Sequence, residues 1–175
     1  MNLKVLYEDN HLIAVVKPAG LLVQGDQSRD ESLMDQVKVY LKEKYQKPGN
    51  AFLGLLHRID RPVSGVVLFA KTSKGAARIS EQIRNHTFLK TYEAIVEGQV
   101  TLPQGTMRDF LIKNEKERKA YIFQEKGTTE AILNYRTLST NSKYTHLQIE
   151  LITGRFHQIR AQLAHRGYPI VGDVK

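Results

Sequence analysis

Leu55-Leu56-His57-Arg58-Ile59-Asp60-Arg61-Pro62-Val63-Ser64-Gly65 runs straight into Val66-Val67-Leu68-Phe69-Ala70. A carboxylate, Asp60, stands between two arginines. Apolar residues precede it, and a turn with Ser and Gly follows. The run after the turn is short, β-branched and aromatic, the pattern of a buried strand. Asp60 is therefore expected on a loop anchored by two stiff apolar segments, a common way to present a reactive group. Taken alone, such an aspartate would simply balance Arg58 and Arg61, because charged side chains are mostly exposed or paired.

Three further blocks stand at a distance from this one. Near the start is Asp9-Asn10-His11-Leu12-Ile13-Ala14-Val15-Val16-Lys17-Pro18-Ala19-Gly20-Leu21. In mid-chain is Leu89-Lys90-Thr91-Tyr92-Glu93-Ala94-Ile95-Val96-Glu97-Gly98. Near the end are Thr153-Gly154-Arg155-Phe156-His157-Gln158-Ile159-Arg160 and Gly167-Tyr168-Pro169-Ile170-Val171-Gly172-Asp173. In this order, and together with His57-Arg58-Ile59-Asp60 and Ser64-Gly65, they closely resemble the signature of the RluA-type pseudouridine synthases. The resemblance runs from Leu6 to Asp173.

That resemblance implies an RNA-modifying isomerase with an α+β fold: a twisted central sheet, flanking helices and a catalytic cleft across the sheet. Asp60 matches the family's catalytic aspartate and Arg160 the arginine that pairs with it. Tyr92 matches the active-site tyrosine, whose ring can stack on a flipped uracil and whose hydroxyl can reach a proton. Outside this context Tyr92 would be an ordinary strand tyrosine and Arg160 a surface arginine on a helix. Arg58 is expected to reach the RNA, since guanidinium planes stack on bases as well as pairing with phosphates. His57 is open between a structural and an RNA-contacting role. Arg155 and Lys17 are expected phosphate contacts. Helical spacing sets His157, Arg160 and Ala164 along one face, which would line the cleft. Ile170 or Val171 is expected to supply an apolar wall for the base. The isomerisation involves no redox change and no group donor, so no cofactor is expected.

Three departures from the family pattern stand out. Val63 occupies a place usually held by threonine. No N-terminal extension resembles the small basic RNA-binding domain of many relatives. Relatives also normally continue well past Asp173, so residues 1–175 are read as one catalytic domain that is truncated at its C-terminus. Two other classes are compatible with the residues. One is a catalytically impaired RNA-binding protein of the same fold. The other is a glycosidic hydrolase, although such enzymes commonly use two carboxylates and only Asp60 has a matching context.

The bulk properties agree with this reading. The chain has 175 residues, 41% of them hydrophobic and 25% charged, enough for a real core. The net charge of +8 favours a polyanionic partner, and the family implies structured RNA, either large-subunit ribosomal RNA or transfer RNA. Cysteine is absent, which excludes disulfide frameworks and thiolate chemistry and fits a cytoplasmic protein. No signal-peptide pattern or membrane-length apolar run is present, so no membrane partner is expected. The histidines lack metal-site spacing: His157 and His165 are eight apart, without an acidic pair. A monomer is the default expectation.

Local patterns place the elements. Val5–Tyr7 and Leu12–Val16 read as strands joined by a tight polar turn. A helix capped by Ser32 carries Leu33, Val37, Tyr40 and Leu41 on one side, and Lys47-Pro48-Gly49-Asn50 breaks it. A second helix, capped by Ser73, turns Ala76, Ile79, Ser80 and Ile83 inward. Phe88–Val96 reads as a strand. Met107–Phe123 reads as a hairpin around the charged run 114–119, and 126–128 as a turn. Ala131–Leu138 and Tyr144–Leu151 alternate as long antiparallel strands. His157–Arg166 reads as a helix ended by Gly167 and Pro169. Without regular βαβ alternation the class is α+β, with a mixed, mainly antiparallel sheet.

Overall fold

The computed structural model of the chain describes residues 3–46, 48–123 and 128–173. They form two compact units, Met1–Asn85 and His86–Lys175. Each has its own sheet and its own apolar cluster. No linker composition marks the boundary, which falls at the C-cap of a helix.

The first unit is built on β1 (Val5–Glu8), β2 (Leu12–Lys17), β3 (Gly54–Leu55) and β4 (Gly65–Ala70), in the order β1-β2-β4-β3. All three pairings are antiparallel. Strand alternation turns Ile13 and Val15 of β2 inward, opposite Phe69 and Val67 of β4. α1 (Leu33–Lys44) lays Leu33, Val37 and Leu41 into the same cluster. Ser32 caps it as expected, in a reciprocal box with Asp35. The cap of α2 (Ser73–Arg84) is Thr72 rather than Ser73: the Thr72 hydroxyl accepts from the Gly75 amide at 3.1 Å. Gly75 is required there, since a Cβ would stand 2.8 Å from the His11 carbonyl.

One polar cluster ties this unit together. The Glu8 carboxylate, at the end of β1, accepts from Lys44 Nζ (2.7 Å), Lys71 Nζ (2.7 Å), Tyr45 (2.7 Å) and Tyr40 (3.0 Å). Burial opposes the charge on Glu8, but these four donors outweigh it and hold the carboxyl at about 2.

The last inward position of β2 is Lys17, a charged residue continuing the row of Ile13 and Val15. Its side chain is fully buried. Its ammonium donates to the carbonyls of Leu21 (2.7 Å), Pro18 (3.0 Å) and Arg61 (3.0 Å), which uses all three of its protons. Gly20 donates its amide to the same Arg61 carbonyl at 2.8 Å, and Arg61 Nε returns a bond to the Gly20 carbonyl at 2.9 Å. Gly20 adopts φ +86°, a left-handed conformation suited to glycine. Segment 17–21 is thus clamped onto the residue immediately after Asp60.

The second unit contains β5 (Thr91–Glu97), β6 (Gln104–Asn114), β7 (Lys119–Ile122), β8 (Thr129–Thr140) and β9 (Tyr144–Leu151). They form one antiparallel sheet in the order β5-β9-β8-β6-β7. The hairpin read over Met107–Phe123 is β6–β7. The expected strand from Phe88 starts at Thr91 instead. The turn expected at 126–127, like Lys47 in the expected helix break, lies outside the described residues. Named strands pair only antiparallel, so the mixed character expected of the sheet reduces, among the described residues, to the isolated parallel bridge Leu22↔Ser32. The α+β class holds.

α3 (Gln158–His165) packs on this sheet through Leu163 and Ile159, and two buried glutamines fix its position. Gln158 accepts from the Thr153 hydroxyl and the Arg155 amide, both at 2.9 Å, and donates to the Ile132 carbonyl at 3.0 Å. One turn on, Gln162 donates to Asp109 at 2.7 Å and to the Met107 and Ala131 carbonyls at 3.2 Å. Burial raises the Asp109 carboxyl, but bonds from Arg166 and Gln162 prevail and hold it below its usual range.

Two stability measurements test these ties. Glu8→Gln is expected to lower the urea midpoint near neutral pH, by about 1–3 kcal/mol of lost charge-assisted bonding. Because the folded carboxyl lies below its ordinary value of 4.5, its contribution is complete above pH 4.5 and fades as pH falls toward about 2. The difference between wild type and Glu8→Gln should therefore close over that window. Lys17→Met removes the donor shared by the Pro18, Leu21 and Arg61 carbonyls, leaving the last with the Gly20 amide, and is expected to cost about 2–4 kcal/mol in the same assay. An unchanged midpoint would remove Lys17 from its structural role.

Candidate active site

In the first unit, Asp60 is half-buried on the loop between β3 and β4. Its carbonyl accepts from the Val63 amide at 3.0 Å, closing a turn through Arg61-Pro62. His57 ties the preceding stretch to β4: its Nε2 accepts from the Leu68 amide at 3.1 Å. Of the two roles open to His57, this is the structural one, and it needs Nε2 unprotonated. Arg61 extends to Asp30 at 2.8 Å, with both side chains about half exposed, a pair of little energetic weight. Arg58 is exposed, free of the clamp below it.

Lys17 does not fit the expected phosphate contact. It is fully buried, and its three donors are committed to carbonyls. Burial pushes its ammonium down, while the nearby Asp60 carboxylate works the other way. Lys17 acts on the site from beneath rather than on a ligand.

In the second unit, His157, Arg160 and Ile170 come together around a concavity of about 290 Å³. Residues 119–122 of β7 line one side, and Arg160, Ala161 and Ala164 of α3 the other. The face expected from helical spacing is thus the open one, because Gln158, Gln162 and Leu163 are buried on the opposite side. α3 begins at Gln158, one residue later than expected. His157 is its left-handed N-cap (φ 49°), and its ring stacks on Phe156 at 3.7 Å between centroids. Ile170 pairs with Val96 through a bridge and packs on the core, whereas Val171 is 40% exposed and lies outside the lining. Arg155 is exposed, and its Nε donates to the Glu130 carbonyl at 2.9 Å. Tyr92 is half-buried on β5 against the same core and is not part of this lining.

Arg160 makes a two-point pair with Asp173: Nε donates to Oδ2 at 2.6 Å and the second nitrogen to Oδ1. Asp173 is the functional candidate that the sequence reading left without a role. It is 13 residues from Arg160, across a turn, and no periodicity links the two. Among the described residues no group of three or more His, Cys, Asp or Glu is arranged to hold a metal ion.

Residues 11–165 match the protein family described as RNA pseudouridylate synthase. Ribosomal large subunit pseudouridine synthase D of Pseudomonas aeruginosa is 32% identical over 174 residues, covering 99% of this chain and 53% of that protein. tRNA pseudouridine synthase C of Vibrio cholerae is 33% identical over 187 residues, covering 98% of this chain and 72% of that one. The chain thus spans about half of the first relative. The structure of human RNA pseudouridylate synthase domain containing 4 superposes with a TM-score of 0.83 over 97% of this chain and 67% of that chain, at 24% identity, which shows a shared fold. With the motifs around Asp60, Tyr92 and Arg160 inside the matched span, the chain belongs to the RNA pseudouridylate synthase family, among its RluA-type members.

Proposed function

We propose that this chain isomerises uridines of ribosomal RNA or transfer RNA to pseudouridine, with Asp60 as nucleophile acting on a flipped base. The observation that carries the reading is a half-buried carboxylate on a loop clamped from beneath by a buried cation, within a family of this activity. The reaction breaks the bond between uracil N1 and ribose C1′, then joins C1′ to C5. C5 loses a proton and N1 gains one, so the RNA keeps its composition and no co-reactant is consumed.

A base in its stack is inaccessible, so it must be extruded first. Exposed Arg58 suits the space left behind, because its plane stacks on neighbouring bases. The attacking group is the Asp60 carboxylate, carried on the loop that the Lys17 ammonium clamps. Tyr92 stacks on the extruded uracil, and Ile170 supplies an apolar wall. Arg160 brings a guanidinium whose orientation is held by Asp173, and Arg155 and His157 add phosphate and ribose contacts. The protein acts in the cytoplasm as a monomer.

The test is tritium release from RNA labelled at C5 of uridine, using ribosomal and transfer RNA from cells lacking the protein. Wild type releases tritium, and Asp60→Ala lowers release on the order of 10⁴-fold or more, the scale on which losing a nucleophile acts. RNA binding without release by the wild type would refute the isomerase reading, and free uracil as product would point to hydrolysis instead. Asp173→Asn keeps an acceptor for Arg160 but loses the charge. It is expected to lower kcat about 10²-fold with little change in KM, as misplacement of a reacting group does.

A further inference from the structure

Lys90 precedes β5, and its carbonyl still accepts from the Leu151 amide at 2.9 Å, so the ladder with β9 reaches it. Strand alternation then sets its side chain on the face that carries Tyr92, Ala94 and Val96. The ammonium is half-buried beside Gly154: a Cβ built on that glycine would stand 3.4 Å from Nζ. Burial lowers the Lys90 pKa, and no neighbouring charge offsets it.

The contrast with other lysines in the chain is informative. Lys17, Lys44 and Lys71 are also drawn toward the protein, and each donates to carbonyls or to Glu8. Among the described residues the Lys90 ammonium has neither a hydrogen bond nor an ion pair. A desolvated cation without a partner costs folding free energy, and such groups are characteristic of ligand sites. An ammonium has three donors, no acceptor and no plane to stack. Its natural ligand in a uridine-binding site is therefore a phosphate oxygen rather than a base edge.

We propose that Lys90 binds a backbone phosphate of the RNA at the nucleotide whose base meets Tyr92. The two residues lie about 6–7 Å apart along the strand, on one face, so base and phosphate of a single unit would be held together. The assignment rests on the isomerase reading above, because it takes Tyr92 as the residue that meets the uracil.

The test compares wild type, Lys90→Met and Lys90→Arg in filter binding to transfer and ribosomal RNA, between about 50 and 200 mM salt. Lys90→Met is expected to weaken binding about tenfold at low salt and to flatten the slope of log affinity against log salt by roughly 0.7–1, one phosphate contact. Lys90→Arg keeps the slope. The thermal midpoint of Lys90→Met should equal or exceed that of wild type, because an uncompensated charge has been removed. An unchanged salt slope for Lys90→Met, or a lowered thermal midpoint, would overturn the proposal, the latter by making the lysine a structural one. If wild type binds RNA and releases tritium while Lys90→Met keeps its slope, only this proposal fails. If wild type does neither, the isomerase reading falls and takes the proposal with it.

Discussion

The arrangement around Asp60 depends on a single buried ammonium. Lys17 occupies a position that strand alternation reserves for an apolar side chain, and its charge is tolerated because three carbonyls receive it. Those carbonyls belong to two segments far apart in sequence, 18–21 and Arg61, so one side chain fixes both. Pro18 and Gly20 then make sense together. One removes an amide that would need a partner, and the other takes the left-handed conformation that turns its amide onto Arg61. A loop held this way keeps the Asp60 carboxylate in place.

The second unit solves the same problem differently. Here the side chain to be positioned, Arg160, is on a helix, and the helix must not rotate. Leucine and isoleucine contacts alone are non-directional. Gln158 and Gln162, one turn apart and buried, add directional bonds to β6, β8 and the 153–155 turn. With one side of α3 pegged, the opposite side must present Arg160, Ala161 and Ala164. The fork onto Asp173 then fixes the guanidinium itself. The half-buried Lys90 ammonium, by contrast, has no such partner among the described residues.

Much of this was legible in the chain. Alternation and β-branched runs located the strands, the Ser32 cap marked α1, and the spacing of His157, Arg160 and Ala164 identified the open face of α3. Tertiary context overrode two expectations, at Ser73 and Lys17, and gave a partner to a residue whose role was open, His57. Thr72 caps α2 because its hydroxyl, and not that of Ser73, meets the Gly75 amide. His57 is taken up by the Leu68 amide of the neighbouring strand. Lys17 looks like any basic residue before a Pro-Ala-Gly turn, and periodicity alone cannot say that its head points inward.

By itself, the sequence determined the α+β class and the identity of the family. Those follow from local pattern and motif order, which survive without knowledge of contacts. Tertiary structure alone decided which charges are paired. Lys17 meets a carbonyl 44 residues away, Arg160 meets Asp173 across a turn, and the Lys90 ammonium has no partner among the described residues. Pairing depends on distance and desolvation in three dimensions, and neither is encoded in the spacing of residues along the chain.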